Sequence, residues 1–443
     1  MGAGFSRPVR DVQPYSPERR TALVLCGTGA HGAYHAGVLR ALQEAGVKID
    51  VMAGQGAGAG AAALAAIDGG AQLWEPDGIW RGAAARSMYR WKWPLRAGSW
   101  VGALLVATLA IPFLLFLVSG PFYPIYFVSA ALLEIVVILF FVALGVAIDL
   151  RRSPARRKAD GAWWWRMLGA PLDADAARRR FAGALWHLIR GGAHIARPPG
   201  PALGRRYSDV LAENLGQPGF RELMLVATDV DARRDVVGAL LREPYRQAFG
   251  APRPGRERRS EAIDLAGAGR DHAFDFVAAG LTPPVGCDAH LMTFAADSFW
   301  RGETHRVCDR PGAVSRLLEE LAGAGVSQAV IVSAVATPPP HRLSVPRLEI
   351  PHRLGEFLAA AESAALRDAM ELARLRFDSV YLICPAHNPV GVFDLSGAYD
   401  DASDRRQDLV ELMERAYEDA YRQFIEPVVG ASGEHLARAT SRT

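Results

Sequence analysis

Residues 21–67 read TALVLCGTGAHGAYHAGVLRALQEAGVKIDVMAGQGAGAGAAALAAI, and this stretch decides the fold. Thr21 to Cys26 is a short apolar run that breaks into Gly27-Thr28-Gly29-Ala30-His31-Gly32, after which Tyr34, Val38, Leu39 and Leu42 recur at helical spacing. That is a strand feeding a helix through bare backbone. Val47 to Ala53 is a second apolar run, and it breaks into Gly54-Gln55-Gly56-Ala57-Gly58 before a small-residue helix from Ala59 to Ile67. Two strand-turn-helix units in tandem predict an α/β domain with a parallel sheet.

The two turns carry a resemblance. The order and spacing of the first glycine turn, the helix and the second glycine turn, with the run HAGVLRALQEAGVKIDVMAGQGAGA, resemble the start of a patatin-like phospholipase domain. The segments LMLVATDVDARRDVV (223–237) and AAGLTPPVG (278–286) resemble later parts of that domain. The resemblance implies a three-layer α/β fold that hydrolyses lipid esters with a serine-aspartate pair. It implies an oxyanion hole at Gly27, Thr28, Gly29, Ala30, His31 and Gly32, and an elbow of G-x-S-x-G form framed by Gly54 and Gly58.

One residue departs from that pattern. The nucleophile position is Gly56, and no serine, threonine or cysteine occurs from Val51 to Ala66. An elbow holds its nucleophile in a strained backbone conformation, with small neighbours so that the oxygen stands clear. Glycine adopts such angles without strain. The shape is therefore expected to persist without the attacking atom. His31 stands where the family has a basic arginine or lysine.

The 443 residues are half apolar, enough for a large core, and the formal charge of +3 points to no polyanion partner, so nucleic acid is not expected. Cys26, Cys287, Cys308 and Cys384 lack metal-ligand spacing and read as free thiols in a reducing compartment. Residues 1–18 are polar with no apolar core, and read as a mobile leader rather than a cleaved signal.

The first part of the α/β domain, 19–97, ends in a basic, aromatic stretch with Arg86, Arg90, Lys92 and Arg96 among Trp80, Trp91 and Trp93. Residues 99–120 then carry no charge, and 124–148 carry only Glu134. Each run is long enough, at about 1.5 Å per residue, to cross a hydrocarbon core of about 30 Å. A transmembrane hairpin over 98–150 is expected, with arginines outside both ends and none in the connector. That pattern predicts a two-span protein of the inner membrane, both termini and the α/β domain cytoplasmic. Glu134 is expected to be protonated or paired, with Thr108 within reach, gluing two helices or two copies of the hairpin. Residues 151–205, basic and rich in tryptophan, are expected to lie on lipid headgroups.

The domain resumes over 206–335. The base of the pair is sought after 278–286; Trp300-Arg301-Gly302 looks like the family's turn with arginine for aspartate, leaving Asp309 as candidate and Asp297 as the weaker alternative. Residues 250–272 suggest no element. Over 336–443 a helical and strand extension packs on the domain. Its loop holds His387, Asp394, Asp400, Asp401 and Asp404, residue types able to ligate a divalent cation, though such acids in a turn-rich loop are usually solvated or capping. No metal site or cofactor is expected.

Three functions follow. The first is a membrane-anchored, lipid-binding pseudo-hydrolase. The second is an active acyl hydrolase with a nonstandard nucleophile, for which Thr28 is the nearest hydroxyl. The third is a dinucleotide-binding protein, since Gly27, Gly29 and Gly32 with Asp50 at the end of a second strand also fit that pattern.

Overall fold

The computed structural model describes residues 15–119, 123–150, 169–192, 195–251, 258–295, 300–336, 350–400 and 402–430. They form two compact units, one of residues 90–173 and one of the remainder.

The larger unit is built on a nine-stranded mixed sheet. In chain order its strands are β1 (Thr21–Gly27), β2 (Val51–Gly56), β3 (Glu222–Asp229), β4 (Arg234–Leu240), β5 (Ser260–Asp264), β6 (His290–Thr293), β7 (Thr304–Cys308), β8 (Gln328–Ser333) and β9 (Ser379–Ile383). The main path runs β9-β8-β1-β2-β3-β4-β5, while β7 pairs with both β3 and β6. The central five, β9 to β3, are all parallel, and β3 turns back antiparallel into β4. Parallel strands buried on both faces read as unbroken apolar runs, which is what the sequence of β1 and β8 shows.

Helices cover both faces. Ala22, Val24 and Ala53 pack with Leu317, Leu321, Ala369 and Ala373 of the helices Val314–Gly323 and Ile350–Arg376. Leu23 and Met52 face the opposite layer, beside Leu39 and Leu42 of α1 (Gly32–Glu44). The parallel-sheet α/β architecture expected from the two glycine turns is present, in the three layers that the resemblance implies.

Several sequence expectations change. Tyr15, assigned to a mobile leader, is buried, meeting Phe424 edge-on at 5.6 Å, and the Ser16 amide donates to the Gln328 side chain. The helix Asp175–Arg190, expected on lipid headgroups, buries Phe181, Leu185 and Trp186; Phe181 meets Trp80 edge-on at 6.0 Å, and Arg180 donates to the carbonyls of Ile79 and Gly78. Its apolar face is spent on the protein core. Trp163, Trp164, Trp165 and the rest of 151–168 lie outside the described residues. The 250–272 stretch holds β5, paired parallel to β4 at the sheet edge. The C-terminal part, read as an appendage, supplies β9 to the main sheet.

The smaller unit contains two helices, Trp93–Ser119 and Tyr123–Leu150, and a short antiparallel pair of Arg90–Trp91 with Leu172–Asp173 that brings the ends of the insertion together. The Thr108 hydroxyl donates to Glu134 at 2.7 Å, so the two helices touch there. Leu104, Val106, Leu132, Leu133, Ile138 and Phe140 are exposed. Among the described residues no helix is long and apolar enough to cross a membrane; side chains at 111–127 lie outside them.

Candidate active site

The elbow is formed. β2 ends at Gly56, whose φ of 64° and ψ of −137° lie where side-chain-bearing residues are strained, and the helix α2 (Ala57–Ala65) begins at once. Its N-terminal amides and dipole favour negative charge at this point. β1 runs parallel to β2 in a register that sets Gly27 opposite Gly56. The two glycine turns therefore meet at the C-terminal ends of neighbouring strands, where open α/β sheets hold their sites.

Asp309 completes the cluster from far along the chain. It follows β7 directly, its amide donating to the Thr282 carbonyl at 3.1 Å, which ties it to the AAGLTPPVG segment. A β-carbon on Gly56 would lie 2.9 Å from Asp309 Oδ2. The carboxylate accepts from Thr28 Oγ1 at 2.6 Å and from the Gln55 amide. Thr28, Gln55 and Asp309 are all buried. Burial pushes the Asp309 pKa up to about 7, with the Thr28 hydrogen bond opposing.

The same geometry leaves no room for a nucleophile. A β-carbon on Gly56 would stand 2.3 Å from the Gly27 carbonyl oxygen. Backbone of the first turn fills the space a serine side chain would take, and the nearest hydroxyl, Thr28, is occupied in bonding Asp309. A void of about 10 Å³ lies beside Gly27, walled by Gln55, Ser333 and Glu362 among others.

The remainder of the first glycine loop is also engaged. Ala30 N donates to the Val392 carbonyl at 2.8 Å. His31 Nδ1 pairs with Glu362 Oε2 at 2.9 Å, both side chains buried, while Glu362 Oε1 has no partner. His35, one turn on, hydrogen-bonds the Cys26 carbonyl at 2.9 Å, and burial pushes its pKa down to about 4, so it is neutral. Gln55, Glu362 and Val392 were missed by sequence reasoning. Gln55 lies inside the elbow and was readable as a donor; nothing local marks the other two.

Other candidates lie elsewhere. Trp300 packs on His305 with ring centroids 4.6 Å apart, so Trp300-Arg301-Gly302 belongs to the β6–β7 hairpin and not to the site. Asp297 and Asp401 lie outside the described residues. Asp400 accepts from His387 at 2.8 Å, from Ser403 and from the Ala402 amide, which hold its pKa down to about 2 against the effect of burial. Asp394 accepts from the Gly391 amide, and Asp404 from the Tyr399 hydroxyl. Among the described residues no group of three or more His, Cys, Asp or Glu side chains is placed to hold a metal ion.

The dinucleotide reading fails on geometry. β2 begins at Val51, so Asp50 stands at the start of that strand rather than its end, and its carboxylate accepts from the Thr21 amide at 2.9 Å. The glycine turn is at the opposite end of the sheet. No ribose bound near Gly27 and Gly29 could reach that acid.

A parallel-centred sheet with a glycine elbow, a facing glycine loop and a buried aspartate defines an α/β protein of serine-hydrolase architecture. The patatin-like phospholipase family model matches residues 23–190, so this part of the chain is similar to that family. Among solved structures, the type III effector protein ExoU is similar at 17% identity with a TM-score of 0.29, over 92% of this chain and 54% of that one. VipD from Legionella pneumophila is similar at 13% identity with a TM-score of 0.30, over 97% of this chain and 71% of that one. The chain thus spans about half the length of the ExoU chain. No curated protein matches it.

Proposed function

We propose that this protein is a lipid-binding pseudo-hydrolase of the patatin-like family, held at a membrane by the helical pair of its smaller unit. One observation carries the reading: position 56 has the elbow conformation and the aspartate beside it, but no oxygen and no space for one. Ester hydrolysis in this architecture needs an oxygen to attack, a base to take its proton, and donors for the oxyanion. The base is retained; the attacking atom is not.

Membrane attachment is supported by the charge-free run 99–120, by 124–148 with Glu134 alone, and by the apolar side chains the pair exposes. Glu134 is bonded to Thr108, the arrangement that lets an acid sit between apolar helices. Arginine-rich flanks on both sides of the insertion favour a cytoplasmic position for the α/β unit. The partner is bilayer lipid, with self-association through the hairpin as a further option.

The test is direct. Wild-type protein in detergent is treated with a serine-directed fluorophosphonate and assayed on a short-chain ester; neither labelling at the elbow nor turnover is expected. Labelling within 27–58 overturns the reading.

A second reading keeps hydrolysis and takes Thr28 as nucleophile. It is favoured by the 2.6 Å bond from the Thr28 hydroxyl to Asp309, the contact a serine would make with its base. Against it, Thr28 is wholly buried. Ester turnover by wild type that Thr28→Val abolishes would establish it.

A further inference from the structure

The oxyanion loop does not open onto a cleft, because another part of the chain lies across it. Residues 384–397 carry no helix or strand. Within them Val392, wholly buried, turns its carbonyl oxygen to the Ala30 amide at 2.8 Å. The approach is close enough that a β-carbon on Gly29 would meet that oxygen at 2.2 Å.

Of four contacts, two reach from the segment to the rest of the domain and two brace it from within. Asn388 Nδ2 donates to the Ala334 carbonyl at 2.9 Å, and Asn388 Oδ1 accepts from the Val390 amide at 3.0 Å. Asp394 accepts from the Gly391 amide at 3.0 Å. The Phe393 ring meets Tyr89 edge-on at 5.8 Å. None is a sheet or helix bond, so the segment can lift without breaking a ladder.

What the segment presents is chemically specific. A peptide carbonyl before the amide of an oxyanion loop offers the acceptor that the carbonyl of an acyl ester would offer. We propose that residues 388–395 are an intramolecular strap, with the Val392 carbonyl standing in for the ester carbonyl of an acyl lipid, and that lipid enters only when the strap lifts. This rests on the reading that the loop binds lipid. It adds that the closed state competes with the ligand for the Ala30 amide, so lipid affinity is set by how firmly residues 388–395 are held.

A reversible lock tests it. A β-carbon on Gly355 would lie 3.8 Å from Val392 Cβ, the spacing a disulfide needs. In a Cys384→Ser background, Gly355→Cys with Val392→Cys, oxidised with copper phenanthroline, pins the strap to the long helix Ile350–Arg376; a reductant frees it. The probe is dihexanoylphosphatidylcholine kept monomeric, titrated against both states while its hydrolysis is followed. Reduced protein is expected to bind at least tenfold more tightly than oxidised, and Ala30 amide exchange to slow by at least tenfold on oxidation.

A second variant, Asn388→Ala with Phe393→Ala, loosens the strap without cysteines and is expected to bind more tightly than wild type. Equal binding in both redox states, without turnover, overturns the strap and leaves the pseudo-hydrolase reading standing. Turnover in the reduced form supports the strap and overturns the pseudo-hydrolase. No binding in any form overturns the strap together with its lipid ligand.

Discussion

Asp309 Oδ2 lies 2.9 Å from the point that a β-carbon on Gly56 would occupy, although 253 positions separate the two residues in the chain. A buried carboxylate thus stands beside an elbow position that carries no side chain. Its hydrogen-bonding needs are met by Thr28 and Gln55, which keep the carboxylate partnered without a serine.

That aspartate should make the fold pH-sensitive. Its pKa rises from the ordinary 3.8 to about 7, so across that window the native state keeps a proton the unfolded chain has released. Stability from this group is therefore greatest below about pH 4, falls as pH rises, and levels off above about 7. The effect is on the order of a few kcal/mol. Asp309→Asn should melt above wild type at pH 8 and converge with it near pH 4, as read by thermal unfolding at both.

Placing a serine at the elbow should not produce an esterase. Gly56→Ser puts a side chain at φ 64° and drives its β-carbon against the Gly27 carbonyl, which the β1–β2 register holds in place. A cost of about 1–3 kcal/mol is expected from the backbone alone. Chemical denaturation should show the loss, and ester assays should show no gain.

In the smaller unit, the Thr108–Glu134 bond predicts non-additive mutants. Thr108→Val leaves the acid without its donor and should weaken the helix pair by about 1 kcal/mol. Adding Glu134→Leu removes the stranded group and should recover most of that loss. Unfolding of both variants in detergent, followed by circular dichroism, supplies the comparison.

Helix packing offers a test away from the site. A β-carbon on Gly37 would stand 1.9 Å from the Met413 carbonyl on the helix Leu409–Ala420. Gly37→Ala should cost about 1–3 kcal/mol by overpacking, visible as a lowered melting temperature.

The two glycine turns were legible because strand, turn and helix are local: each is set by residues within a dozen positions. Asp309 could be reached only by elimination, since β7 carries it to Gly56 through an antiparallel pairing with β3 that no local pattern announces. Glu362 and Val392 were out of reach altogether. A glutamate in a long amphipathic helix and a valine in a loop bear no mark of the loop they touch, and Val392 acts through backbone, which sequence does not distinguish. The helix Asp175–Arg190 misled for the converse reason: arginines near an apolar insertion suggest headgroups, but Arg180 caps backbone carbonyls inside the protein.

β9 has a consequence for any attempt to isolate the first 336 residues as a minimal domain. Its five residues shield one flank of β8, whose six residues are all buried. A fragment cut before Ile350 would expose that apolar flank as an unpaired ladder, the kind of surface on which chains stack into insoluble ribbons.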